Sequence, residues 1–207
     1  MARRTLLTLA AALVLAPTTR GGAIPASAGT RSTPVPVHVA VSDFLFDPGT
    51  VVIGAGQTVV FDFVGPSHHT VTDASGMAFY DSGSVGAGDP SYSVTYPAAG
   101  GYLFTCIPHP WMAGRVTIPM RVHRIAGTPS PTFRVAWAAS DAAVGFVYDV
   151  QITRPGGHWD GWRTGVTVRS ALFTPHARPG TYGFRARMRS LAGGQARWSP
   201  AEQIHLG

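Results

Sequence analysis

Apolar and polar positions alternate along this chain in runs of four to ten residues, never in a sustained helical period. The first set comprises Val35 to Val41 ("VPVHVAV"), Thr50 to Ile53, Thr58 to Phe63, Tyr92 to Tyr96, Tyr102 to Cys106 and Arg115 to Ile118. Each is rich in β-branched or aromatic residues. Clusters of Gly, Pro, Asp and Ser such as "FDPGT", "GAGQ", "SGSVGAGDP" and "PAAGG" separate them. Short strands punctuated in this way predict an all-β sandwich or barrel. Met77 to Asp81 leaves room for one turn of helix. A second set of runs follows at Phe133 to Ala138, Gly145 to Thr153, Val166 to Phe173, Thr181 to Ser190 and Trp198 to His205.

Between the two sets lies "HRIAGTPSPT", rich in Pro, Ser, Thr and Gly. Charge also reverses here. From Gly29 to Met120 only Arg31 and Arg115 face six aspartates, whereas eleven arginines beyond Met120 face Asp141, Asp149, Asp160 and Glu202. Such asymmetry suggests two units with separate surfaces. The expected organisation is a leader over 1–28, a first β-domain over 29–122, a linker over 123–130 and a second β-domain over 131–207.

The leader follows from Arg3 and Arg4, an apolar run from Leu6 to Ala16, and Ala26-Ser27-Ala28, which fits an A-x-A processing site. Eleven residues, all apolar but Thr8, are too few for a membrane-spanning helix, which needs about 20, so the reading is a secretory signal. No later segment is long and apolar enough to be a transmembrane anchor. The expected location is secreted, extracellular or in the cell envelope.

Export makes the single cysteine, Cys106, conspicuous, because a free thiol outside the cell oxidises or pairs. A buried inert thiol, a nucleophile and a metal ligand are its three open readings. In "FTCIPHPWMAG", His109 and Met112 follow at +3 and +6. Thiolate, imidazole and thioether are soft or borderline donors that suit copper, and two histidines, one cysteine and a weak axial methionine make the blue-copper arrangement. Zinc also takes Cys and His but seldom methionine. "GPSHHTVTD" is the source of the remaining histidine. Alternation on a strand sends His68 and His69 to opposite faces, so only one reaches the metal. His38, His123, His158, His176 and His205 stand singly and read as surface or structural residues.

The stretch from Val35 to Met120 resembles the cupredoxin family, small blue-copper proteins of the plastocyanin, azurin and amicyanin kind. The spacing in "CIPHPWM" looks most like the short-loop amicyanin type. The resemblance implies a Greek-key β-sandwich, one mononuclear type 1 copper site and the ligand set His69, Cys106, His109 and Met112. Many members carry asparagine after the first histidine, where this chain has Thr70. Residues Pro129 to Leu206 resemble a fibronectin type III or immunoglobulin-like sandwich, through Trp137, Tyr148, Tyr182 and "WSPAEQI".

The function implied is an exported electron carrier cycling Cu(II)/Cu(I) with a redox partner protein, not an enzyme. Multicopper oxidases need His-x-His pairs and a histidine beside the cysteine, and this chain has neither. A copper module for scavenging, delivery or sensing is the alternative. In Tyr182-Phe184-Ala186-Met188 the apolar groups point inward, leaving Arg185, Arg187 and Arg189 outward, either as a solvated face or to dock an anionic surface or polymer. Nothing resembles a nucleic-acid module.

Overall fold

The computed structural model describes residues 35–175 and 178–207, all in one compact unit. The leader read in residues 1–28 and His176 lie outside the described residues. Fifteen strands and no α-helix are present among those described. Accordingly, no helix is long and apolar enough to cross a membrane.

The first sandwich is built from β1 (Val37–Ser42), β2 (Leu45–Asp47), β3 (Thr50–Val52), β4 (Thr58–Phe63), β5 (Thr72–Asp73), β6 (Tyr92–Thr95), β7 (Gly100–Thr105) and β8 (Ala113–Ile118). One sheet runs β2-β1-β4-β6 and the other β3-β8-β7-β5. Alternation decides what is buried: Val39, Val41, Val59 and Phe61 in one sheet meet Phe104, Val116 and Ile118 in the other. Phe104 sits edge-on to both Phe46 and Phe61, at 4.9 and 5.2 Å, the T-shaped geometry that aromatic quadrupoles favour. Met77 to Asp81 is not helical. The carboxylate of Asp73 instead accepts the Ser75 and Phe79 N–H groups, and Gly76 turns the chain at φ 79°.

The second sandwich contains β9 (Arg121–Ile125), β10 (Thr132–Ala136), β11 (Phe146–Thr153), β12 (Asp160–Val166), β13 (Ser170–Phe173), β14 (Gly180–Ser190) and β15 (Glu202–Leu206). A three-stranded sheet, β13-β10-β9, faces a four-stranded one, β12-β11-β14-β15. The segment 123–130, expected as a linker, therefore begins as strand: His123, Arg124 and Ile125 pair with Arg134, Phe133 and Thr132. Only Pro119 and the buried Met120 separate β8 from β9. The Pro- and Ser-rich part is an exposed turn within the second sandwich. Val122 and Ile125 are half-buried, and their non-local pairing outweighs the turn-like local composition.

The two sandwiches share a seam in which backbone pairing runs beside apolar packing, Phe79 standing edge-on to Phe146 at 5.8 Å within one continuous core. Gly101 and Arg197 exchange hydrogen bonds at 2.9 Å, Ala99 N–H donates to Trp137 O at 2.7 Å, and Gln195 N–H donates to Ser75 O at 3.2 Å. Gly56 and Gly194 permit the close approach; a Cβ on Gly56 would lie 2.8 Å from Ala139 Cβ, and one on Gly194 2.1 Å from Gly76 C. All of these contacts fall near the start of β7. Its far end leads to Cys106.

The arginines of β14 are not a bare charged face. Arg185 stacks over Trp159 and Trp198 at 4.4 and 5.1 Å, and Arg187 over Trp198 at 4.3 Å. Arg187 and Arg189 both donate to the buried carboxylate of Asp149. Burial of a carboxylate is tolerated when it is paired and hydrogen-bonded in this way, and Gly165 N–H adds a third donor at 2.9 Å.

Candidate metal centre

Three loops meet at the end of the first sandwich away from the seam. After β4, Val64 and Gly65 N–H both donate to Val41 O, folding the chain back toward His69. His69 and Val85 then exchange two backbone hydrogen bonds at 2.9 Å, which fixes its direction. The alternation expected for the adjacent histidines holds: His69 is fully buried, while His68 is exposed beside Ser84.

Cys106, fully buried, follows β7 and opens a loop that closes on itself. His109 N–H donates to Cys106 O, Met112 N–H to His109 O, and Cys106 N–H to Met112 O, at 3.3, 2.8 and 3.1 Å. Pro108 and Pro110 occupy positions where no donor is needed, and their fixed φ stiffens the turn. Met112 is 2% exposed, and its carbonyl also accepts from Thr105 Oγ1.

His69, Cys106 and His109 bring one donor atom each within 4.8 Å of the others. Cys106 Sγ lies 3.7 Å from His69 Nδ1 and 3.5 Å from His109 Nδ1, and the two nitrogens are 3.2 Å apart. A point equidistant from these atoms lies about 2 Å from each, the length of a metal–nitrogen or metal–sulfur bond. The triangle thus fits one metal ion, and its two nitrogens and one sulfur suit copper.

Thr70, standing where asparagine is common in the family, still ties the loops together. Its N–H donates to Cys106 Sγ at 3.3 Å, and its hydroxyl oxygen accepts the Ile107 N–H at 2.8 Å. Thr70→Val keeps the first bond and removes the second, together with the bond that its hydroxyl accepts from Thr72 Oγ1. The expected cost is about 1–3 kcal/mol, read as a lower denaturation midpoint at unchanged m-value.

Two neighbours of the site carried no sequence signal. Asp43 Oδ1 accepts from His69 Nε2 at 3.2 Å and from Ser67 N–H at 3.1 Å, and Oδ2 accepts from Ser67 Oγ at 3.0 Å. The hydrogen bond from His69, followed by that from Ser67 N–H, holds the Asp43 carboxyl below the usual carboxylate range. Phe44 places its ring edge-on to His109 at 4.8 Å. With Trp111, 68% exposed, it forms an apolar rim around the partly exposed imidazole of His109.

A β-sandwich with a buried cysteine sulfur and two imidazoles gathered at one end has the donor set for one metal ion. Residues 34–119, less than half of the chain, match the family of copper binding proteins of the plastocyanin/azurin kind, and copper is the metal that this similarity and the His69, Cys106 and His109 donor set fit. Among curated proteins, amicyanin from Paracoccus versutus is 34% identical over 84 residues. That match takes in 40% of this chain and 64% of the amicyanin, so the chain spans less than two thirds of that relative. Similar solved structures include a purple cupredoxin from Nitrosopumilus maritimus, with 19% identity, 40% of this chain and 98% of that chain covered, and a TM-score of 0.38. Another is a mutant plastocyanin of fern, with 25% identity, 40% and 99% coverage, and a TM-score of 0.35.

Proposed function

We propose that the protein is an exported carrier of single electrons, in which His69, Cys106, His109 and Met112 would hold one copper ion. The observation that carries this reading is the triangle of Nδ1, Sγ and Nδ1, sized for one ion. Bound copper supplies a one-electron Cu(II)/Cu(I) couple. The chain's part is to hold the donors still, through the closed Cys106–Met112 loop and the bond from Thr70 to the sulfur. Fast exchange requires that geometry change little between the two oxidation states, and hydrogen bonding at the sulfur sets the potential. His109, framed by Phe44 and Trp111, is the route by which an electron reaches a redox partner. The amicyanin similarity and the sequence-read leader support an exported carrier.

The second sandwich is read as a fibronectin type III-like module. Its three-plus-four strand layout supports this, as does Tyr182, whose hydroxyl donates to Arg178 O near the start of β14 in the manner of a tyrosine corner.

Cu(II) added to the apo protein is expected to give an intense visible absorption and narrow EPR hyperfine splitting at one equivalent. A colourless complex overturns the blue-copper reading. Met112→Leu conserves volume and costs under about 1.5 kcal/mol of stability, yet it shifts the potential and spectrum if Met112 is a ligand; unchanged spectra would make it a packing residue. Rapid oxidation and reduction by small redox proteins supports carriage. Ready transfer of Cu(I) to an apo acceptor, without electron exchange, supports delivery instead.

A further inference from the structure

We infer that the turn between β1 and β2, Asp43-Phe44, is a positioning device that orients both imidazoles before any metal arrives. This rests on the ligand reading above and adds residues outside the ligand set. Asp43 accepts from His69 Nε2, so Nε2 carries the proton and Nδ1 presents its lone pair toward Cys106; in neutral imidazole one nitrogen donates and the other accepts. Ser67 grips the same carboxylate from the loop that precedes His69. Gly65 makes this possible, since a Cβ there would lie 2.6 Å from both Asp43 N and Oδ1.

Phe44 acts on the other imidazole by packing. Its ring stands at 78° to His109, with Trp111 against the same imidazole at 5.6 Å. The Phe44 backbone has φ 65°, a left-handed conformation that bulky side chains avoid. Glycine or asparagine fits that backbone better, and half of this apolar side chain faces solvent. Neither backbone comfort nor burial explains a phenylalanine here. What the position supplies is a ring against His109. Strain of this kind persists where surrounding structure fixes it, and it clusters at functional sites.

One residue thus sets the tautomer and direction of His69, and the next limits the motion of His109. Partners that orient metal-binding histidines are typically worth about 10–100-fold in affinity. The test uses the whole chain with three variants: Asp43→Ala, Asp43→Asn and Phe44→Gly. In apo wild type, long-range proton–nitrogen NMR is expected to show His69 as the Nε2–H tautomer. In Asp43→Ala the tautomers mix, and copper affinity, measured by competition with a chelator, falls about 10–100-fold. Asp43→Asn retains an accepting oxygen but no charge. It should keep the tautomer and most of the affinity, while its midpoint potential rises because His69 donates less to Cu(II).

Phe44→Gly relieves the backbone, so folding is not impaired. It is expected to broaden the His109 resonances and weaken copper binding. Unchanged tautomer, potential and affinity in all three variants would overturn the inference. If wild type forms no thiolate–copper complex, the ligand reading fails, while the apo tautomer measurement still decides the role of Asp43. If Asp43→Ala does not fold, Asp43→Asn decides by its potential, and an unchanged value counts against the proposal.

Discussion

Cys106→Ser should fold normally and lose its blue colour entirely. Serine is close in size to cysteine, and its oxygen can accept the Thr70 N–H that now meets the sulfur at 3.3 Å. The buried site therefore keeps its hydrogen bond while losing its thiolate. Intense visible absorption from sulfur-to-copper charge transfer has no other source, because Cys106 is the only cysteine in the chain. Copper held by His69 and His109 alone should show weak colour and wide hyperfine splitting. Affinity should fall by on the order of 100-fold or more, since even partners outside a ligand set cost about 10–100-fold. Optical and EPR titrations of variant and wild type check this, and a variant that remained blue would rule out Cys106 as the ligand.

The second large effect is expected at the seam. Gly194→Ala puts a methyl group 2.1 Å from Gly76 C and 2.5 Å from Met77 N, at a φ of 75°. The obstructing atoms are backbone, so no side chain can swing aside. Overpacking of this kind costs about 1–3 kcal/mol, and the left-handed backbone adds about 1–2 kcal/mol. Denaturant unfolding should show the loss. A loss confined to the second sandwich, with the copper spectrum intact, would mean that the sandwiches unfold separately. A neutral substitution would mean that the seam is looser than its hydrogen bonds indicate.

Six of the eight strands of the first sandwich were legible because β-branched alternation is a local signal, and each such run became a strand within a residue or two; β2 and β5, three and two residues long, are too short to show one. The ligand loop was legible for the same reason: Cys106, His109 and Met112 lie within seven positions. Alternation said only that one of His68 and His69 could reach the metal; the choice of His69 came from the cupredoxin resemblance. Asp43 and Phe44 were not legible, because they meet His69, Ser67 and His109 across 24 residues or more and carry no local pattern. The strand β9 was hidden by its setting, since "HRIAG" reads as a turn until Thr132 to Ala136 pairs with it. β12 was missed because Gly161 and Gly165 break its alternation. The seam was silent too. Its backbone partners leave no side-chain pattern to detect, and Phe79 and Phe146 meet across it from positions 67 residues apart.

One strand links the two ends of the first sandwich. β7 begins where Gly101 meets Arg197 and ends beside Cys106; at about 3.3 Å per residue its six residues separate seam from metal by about 20 Å. The second sandwich therefore covers the end remote from His109 and leaves the aromatic rim clear. In the proposed carrier, a donor and an acceptor that both dock on this rim would compete for it, and steady-state turnover would follow a ping-pong pattern.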